Sequence, residues 1–176
     1  PRVGKSEAVT TLRNALAASH LFAEVTPDPP ISQIEEMVRQ YNANNCDGIV
    51  AIGGGSNMDA AKAMGARIAR PNKSLEKLGG VMKVLREIPF FVAVPTTAGT
   101  GSECTVAAVV TDDKIGKKYA INDPVLCPNI AVLDANLTTS LPANLTAYTG
   151  MDALTHAIEA YLNKPYHIKH TKEMAL

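Results

Sequence analysis

The run Gly48-Ile49-Val50-Ala51-Ile52 leads straight into Gly53-Gly54-Gly55-Ser56 and then into helix-forming residues up to about Ala69. No other feature limits the fold as much. Consecutive small and apolar residues without an alternating polar face predict a buried parallel strand. A helix after such a strand is the crossover that parallel pairing requires. The pattern returns at Phe90–Val94, introduced by Pro89, and a third apolar run lies at Ile130–Leu133. Alternating strands and helices predict an α/β fold, a Rossmann-like parallel sheet covered on both faces. Ligands of such sheets sit beyond the carboxyl ends of the strands. Two loops rich in glycine or threonine fall at those ends.

The remaining text fills in around this frame. Helical spacing marks Ser6–Ala18, and Phe22–Val25 reads as a short strand. Thr26-Pro27-Asp28-Pro29-Pro30 breaks regular structure. Ser32 is the expected N-cap of a helix to about Tyr41, with Glu35 as capping-box partner. Pro71–Gly80 reads as a polar loop and Val81–Leu85 as a helical turn. Thr105–Thr111 and Lys118–Ile121 predict a hairpin about Asp112–Gly116. Beyond Pro142 the text turns helical, with Leu154, Ile158 and Leu162 in one row. A boundary near Ser140 therefore divides an α/β domain, 1–140, from the beginning of a helical domain, 141–176. The opening Pro1 and the end at Leu176 inside helical text predict a fragment of a longer protein.

Bulk properties exclude several classes. Lys+Arg and Asp+Glu both number 17, so no basic footprint for nucleic acid exists. No apolar run approaches the roughly 18 residues that span a bilayer. Cys46, Cys104 and Cys127 are odd in number and far apart. They predict a reducing compartment, the cytoplasm, rather than a disulfide or structural-zinc framework.

Three segments could carry chemistry. In Gly53–Lys62, glycines allow close approach of a phosphate, and the helix start offers free amides and the Ser56 hydroxyl. The loop fits neither GxGxxG nor the Walker pattern, and three glycines alone leave a bare strand-to-helix turn equally open. In Thr96–Ser102, four hydroxyls and two glycines suit ribose, phosphate or amide recognition, although a plain flexible loop reads the same way. In Asp152-Ala153-Leu154-Thr155-His156, a carboxylate and an imidazole one turn apart suit a borderline divalent cation. An isolated pair at that spacing is more often a surface ion pair, and two ligands are too few for a site. Lys117 and Lys118 read first as a solvated turn. His20, His167 and His170 read as exposed.

Together, Gly53–Lys62 (GGGSNMDAAK), Pro95–Glu103 (PTTAGTGSE) and Gly150–Glu159 (GMDALTHAIE) resemble the iron-containing alcohol dehydrogenases, in order as well as wording. The match extends from about Gly4 to Leu176 and looks nearest the lactaldehyde reductase and alcohol dehydrogenase branch. The resemblance implies a dehydroquinate synthase-like architecture, in which a nucleotide-binding α/β domain precedes an all-helical metal-binding domain. It implies that Gly54, Gly55 and Ser56 hold the pyrophosphate of NAD or NADP, with Asp59 nearby. It implies that Thr96, Thr97 and Thr100 line the nucleotide site and that Lys118 reaches the nicotinamide ribose. Asp152 and His156 become the first two of four ligands to a divalent metal, iron(II) first and zinc as the alternative. The other two ligands are histidines expected beyond Leu176.

The expected reaction is hydride transfer between NAD(P)(H) and a primary alcohol or aldehyde, in a homo-oligomer, a dimer. No side chain beyond the metal ligands is singled out as catalytic. Two rivals remain: the same fold with another reaction, of glycerol dehydrogenase or sugar-phosphate cyclase type, and a nucleotide-binding fragment without turnover.

Overall fold

The computed structural model describes residues 3–16, 18–163 and 169–176. In order, the helices are α1 (Glu7–Ala15), α2 (Ile31–Ala43), α3 (Gly55–Ala69), α4 (Leu75–Leu78), α5 (Ala143–Leu162) and α6 (Lys169–Met174). The strands are β1 (Gly48–Gly53), β2 (Gly80–Val81), β3 (Phe90–Pro95), β4 (Ala107–Asp112), β5 (Lys117–Asn122) and β6 (Ile130–Ala131). Among the described residues they make two three-stranded sheets. One is wholly parallel, in the order β1-β3-β6, with Gly48 beside Phe90 and Gly53 beside Pro95. The other, β2-β5-β4, is mixed: β4 and β5 form the expected antiparallel hairpin, and β2 joins β5 in parallel.

Helix α3 is the central element. Met58, Ala60, Ala61, Lys62, Ala63, Met64, Gly65 and Ala66 are all buried, so the helix is covered nearly all round. It packs on β1 on one side and on β4 on another. Its small residues let neighbouring chain approach closely: a Cβ on Gly65 would meet Ile88, in the loop before β3, at 3.1 Å. Ile34, Phe91, Val110 and Ile121 close the core around it. Burial of each such side chain contributes roughly 1.5–3 kcal/mol, enough to fix the helix against both sheets.

Several expectations are corrected. The parallel sheet is closely packed on one face only, and on the other Val50 and Phe90 line a groove shared with Leu12 and Leu16. Ile49, Ala51, Phe91 and Ala93 are buried, but Val50, Phe90 and Ile130 on the opposite face are exposed. Phe22–Val25 is not a strand, because no neighbouring strand offers it hydrogen bonds among the described residues. Helix α2 begins at Ile31 after an extended Pro30, one residue before Ser32 could cap it. Helix α3 starts at Gly55, inside the glycine run itself. The loop before β2 contains α4, held by fully buried Leu75 and Leu78. Val81–Leu85 is not helical: Val81 lies in β2, and the Val84 and Leu85 amides donate to buried Asp123 Oδ2, both at 3.0 Å.

Candidate functional site

The first loop is shaped by glycine at Gly53. Its φ of +154° is a conformation that L side chains rarely adopt, and a Cβ there would fall 2.4 Å from Asn57 Cγ. The chain turns from β1 into α3 within one residue, Gly54. The Gly54 carbonyl accepts from Asn57 N at 3.0 Å and Met58 N at 3.3 Å. The amides of Gly55 and Ser56 thus precede the helical ladder, at the positive end of a 15-residue helix.

The second loop leaves β3 beside the first. Thr96 N donates to Gly53 O at 2.9 Å, extending the sheet by one bond. Thr97 and Thr100 then lie over the glycines. A Cβ on Gly54 would meet Thr97 Cγ2 at 3.3 Å, and one on Gly55 would meet Thr100 Cγ2 at 3.2 Å. The Thr100 hydroxyl accepts from Ser102 N at 3.3 Å, and Gly101 takes the left-handed conformation that turns the chain into the short 3-10 helix Ser102–Cys104. The structure thus brings Gly54, Gly55, Ser56, Thr96, Thr97 and Thr100 together at the carboxyl ends of β1 and β3. A groove of about 1140 Å³ reaches this end along β1 and is lined there by Gly54, Gly55 and Ser56.

Two other residues stand elsewhere. Asp59 Oδ2 accepts from Val109 N at 3.2 Å, so its carboxylate joins α3 to β4. Burial raises its carboxyl above the ordinary range, against the lowering pull of the Val109 amide and Lys62. Lys118 Nζ sits 2.7 Å from Asp28 Oδ2, across from the Pro27–Pro30 segment. Thr111 N donates to Pro29 O at 3.0 Å and anchors that segment to β4.

Helix α5 meets the second loop at Gly99. A Cβ on Gly99 would fall 2.2 Å from the Thr149 carbonyl oxygen, so backbone meets backbone there. Asp152 is one turn further along the same helix. His156 Nε2 lies 3.5 Å from Asp152 Oδ1, and both side chains are about half exposed. The two ligand types therefore share a face, as their spacing predicts. Among the described residues no third histidine, cysteine or carboxylate completes a metal-binding group. His20 pairs with Gln40 at 2.7 Å, His170 is exposed, and His167 lies outside the described residues.

Residues that the sequence reading passed over include Gly99, Lys62, Asp28 and Asp123. Only Lys62 carries a signal in the text: a cation among Ala61, Ala63 and Met64 on a helix too apolar to be exposed there.

Comparison with known proteins gives concordant results. The family model described as iron-containing alcohol dehydrogenase matches residues 2–135. The NAD-dependent methanol dehydrogenase of Bacillus methanolicus is 43% identical over 162 residues, which are 92% of this chain and 42% of that protein. The crystal structure of an iron-containing alcohol dehydrogenase from Thermotoga maritima matches with a TM-score of 0.86 at 33% identity, covering 98% of this chain and 47% of that one. The sulfoacetaldehyde reductase of Bifidobacterium kashiwanohense, solved in complex with NAD+, matches with a TM-score of 0.81 at 33% identity, covering 95% and 44%. The chain thus spans less than half the length of the relatives it matches. Since the family model covers most of its residues, the chain belongs to the iron-containing alcohol dehydrogenase family.

Proposed function

We propose that this chain supplies the nucleotide side of an enzyme that moves a hydride between NAD(P)(H) and a small primary alcohol or its aldehyde. The observation that carries this reading is the paired-loop cradle, where Thr97 and Thr100 rest on Gly54 and Gly55 at the start of α3. A pyrophosphate fits there on chemical grounds. The glycines let the threonine loop close over the helix start, the first amides of α3 donate to the phosphate, and the helix end favours its charge. The Ser56 hydroxyl and the threonines add donors for phosphate or ribose. Lys118, released from Asp28, would reach the ribose beside the nicotinamide.

A divalent metal fits less completely. Asp152 and His156 supply one oxygen and one nitrogen, a donor pair that suits iron(II) or zinc. Two ligands do not make a site, so we infer that others come from outside these residues. When bound, the metal supplies Lewis acidity at the substrate oxygen. The chain's own part is orientation. The Gly99–Thr149 contact holds the helix bearing Asp152 against the loop bearing Thr97 and Thr100, and a nucleotide and a metal bound at these two places would be oriented through it.

Further support is indirect. The relatives' names include a methanol dehydrogenase and a 1-propanol dehydrogenase, consistent with small alcohols. Helix α5 has no buried residue, consistent with a helical domain that starts after a boundary near Ser140 and is covered by further chain. Free Cys46, Cys104 and Cys127 support a cytoplasmic location. Among the described residues no helix is long and apolar enough to cross a membrane.

The test is an NADH- and NADPH-consumption assay of the full-length protein with a panel of short aldehydes, joined to elemental analysis. Turnover that follows bound iron or zinc is expected. A metal-replete protein that consumes neither cofactor with any aldehyde would refute the reading.

A further inference from the structure

Lys62 is the one fully buried cation among the described residues. It lies about two turns along α3 from Gly55. Its Nζ donates to Thr105 O at 2.7 Å, Thr105 Oγ1 at 2.9 Å and Ala107 O at 3.1 Å. An ammonium has three N–H donors, so these acceptors satisfy it completely. All three are neutral, which makes the burial costly compared with an apolar residue of similar length.

What the arrangement fixes is the exit of the second loop. Thr105 directly follows the 3-10 helix Ser102–Cys104 and leads into β4. The loop's entrance is fixed separately, by Thr96 N on Gly53 O at 2.9 Å. Between these two anchors, Thr97 and Thr100 rest on Gly54 and Gly55. Both anchors belong to the β1-to-α3 unit, Gly53 at the end of the strand and Lys62 on the helix. Apolar packing alone is non-directional and would let the loop's exit slide along α3. Three directed hydrogen bonds from a buried ammonium hold it in one register.

We propose that Lys62 is a positioning residue for cofactor binding, which acts by clamping the exit of the threonine loop to the helix whose first turn holds the pyrophosphate. The proposal rests on the nucleotide reading given above. Lys62 is fully buried and would act through the loop, not by contact with cofactor or substrate.

The test uses full-length protein carrying Lys62→Met or Thr105→Val, the second removing one acceptor while keeping shape. Binding of NADH and NADPH is measured by calorimetry, with KM values for cofactor and aldehyde, kcat and thermal midpoint alongside. Lys62→Met should weaken cofactor binding roughly tenfold, and Thr105→Val roughly threefold, the size of one or two lost hydrogen bonds. The KM for cofactor should rise more than the KM for aldehyde, and kcat should fall less than cofactor affinity. If Lys62→Met does not fold, Thr105→Val carries the test through the same quantities. Wild-type cofactor affinity in a folded variant, whatever its thermal midpoint, would leave Lys62 a purely structural residue and overturn the proposal. Failure of the wild-type protein to bind either cofactor would instead sink the nucleotide reading, and the clamp with it.

Discussion

The first turn of α3 and the middle of α5 both carry residues matched to the same family, but they are built differently. Around Gly54 and Gly55 the chain closes on itself: two loops interlock, Gly53 has a conformation other residues avoid, and α3 is buried beneath. Around Asp152 and His156 nothing is closed. No residue of α5 is buried, and Leu154 and Ile158, on the apolar row, are 52% and 49% exposed. On the proposed reading, the nucleotide side is specified within this stretch of chain, whereas the metal side would receive only two donors here. Gly99 against Thr149 is where the halves meet.

Substitutions can break or sharpen this contrast. The largest effect is expected at Asp152 and His156. Replacing either with Ala in the full-length protein should abolish metal retention and turnover, while the fold stays within about 0.5 kcal/mol, as for exposed sites outside special contacts. Elemental analysis and thermal melting check both halves, and full metal content in either variant would erase the distinction.

Next in size is Gly99→Ala. Its Cβ would press on a backbone oxygen that cannot rotate away, so α5 or the loop must shift. Overpacking of this kind costs roughly 1–3 kcal/mol. Turnover should fall although metal ligands and glycine cradle are both intact. Wild-type kinetics would show that the two regions are not held together at this point.

A smaller effect is expected from Asp59→Asn. Burial raises the Asp59 carboxyl above its ordinary value of 3.8, so the folded state holds that proton more tightly than the unfolded chain. Its contribution to stability is thus full below the ordinary value and is lost as pH rises through the raised one. The Asn variant lacks this loss. Relative to wild type, it should gain stability as pH climbs from about the ordinary carboxylate value toward neutrality. Urea denaturation across that range measures the difference, and parallel curves would count against the burial argument.

The parallel core was legible because β1 and β3 are apolar runs that lead into glycine- and threonine-rich loops, where sequence pattern and backbone demand agree. The hairpin was legible because its turn residues lie between two strand-forming runs. Failures came where partners decide. Phe22–Val25 has strand-like text but no strand beside it, and Val81 joins β5 only because the chain between delivers it there. The one-sided close packing of the parallel sheet was not legible either, since an apolar strand reads the same with one face closely packed or two. In the site, glycines and threonines announced themselves by type, and the Asp–His pair by spacing. Asp28 beside Lys118, Gly99 beside Thr149 and Lys62 beneath Thr105 are contacts across 43 or more residues of sequence, and local patterns do not encode them.

The central claim is that a dinucleotide lies with its pyrophosphate on Gly54 and Gly55. Calorimetric titration of NADH and NADPH into full-length wild-type protein and Gly54→Val measures it directly. A valine there adds methyls where a single Cβ already meets Thr97 Cγ2 at 3.3 Å. Wild type should bind at least one of the two, and Gly54→Val should bind it at least tenfold more weakly, a loss of about 1.4 kcal/mol. Equal affinity of both proteins for the cofactor would contradict the claim.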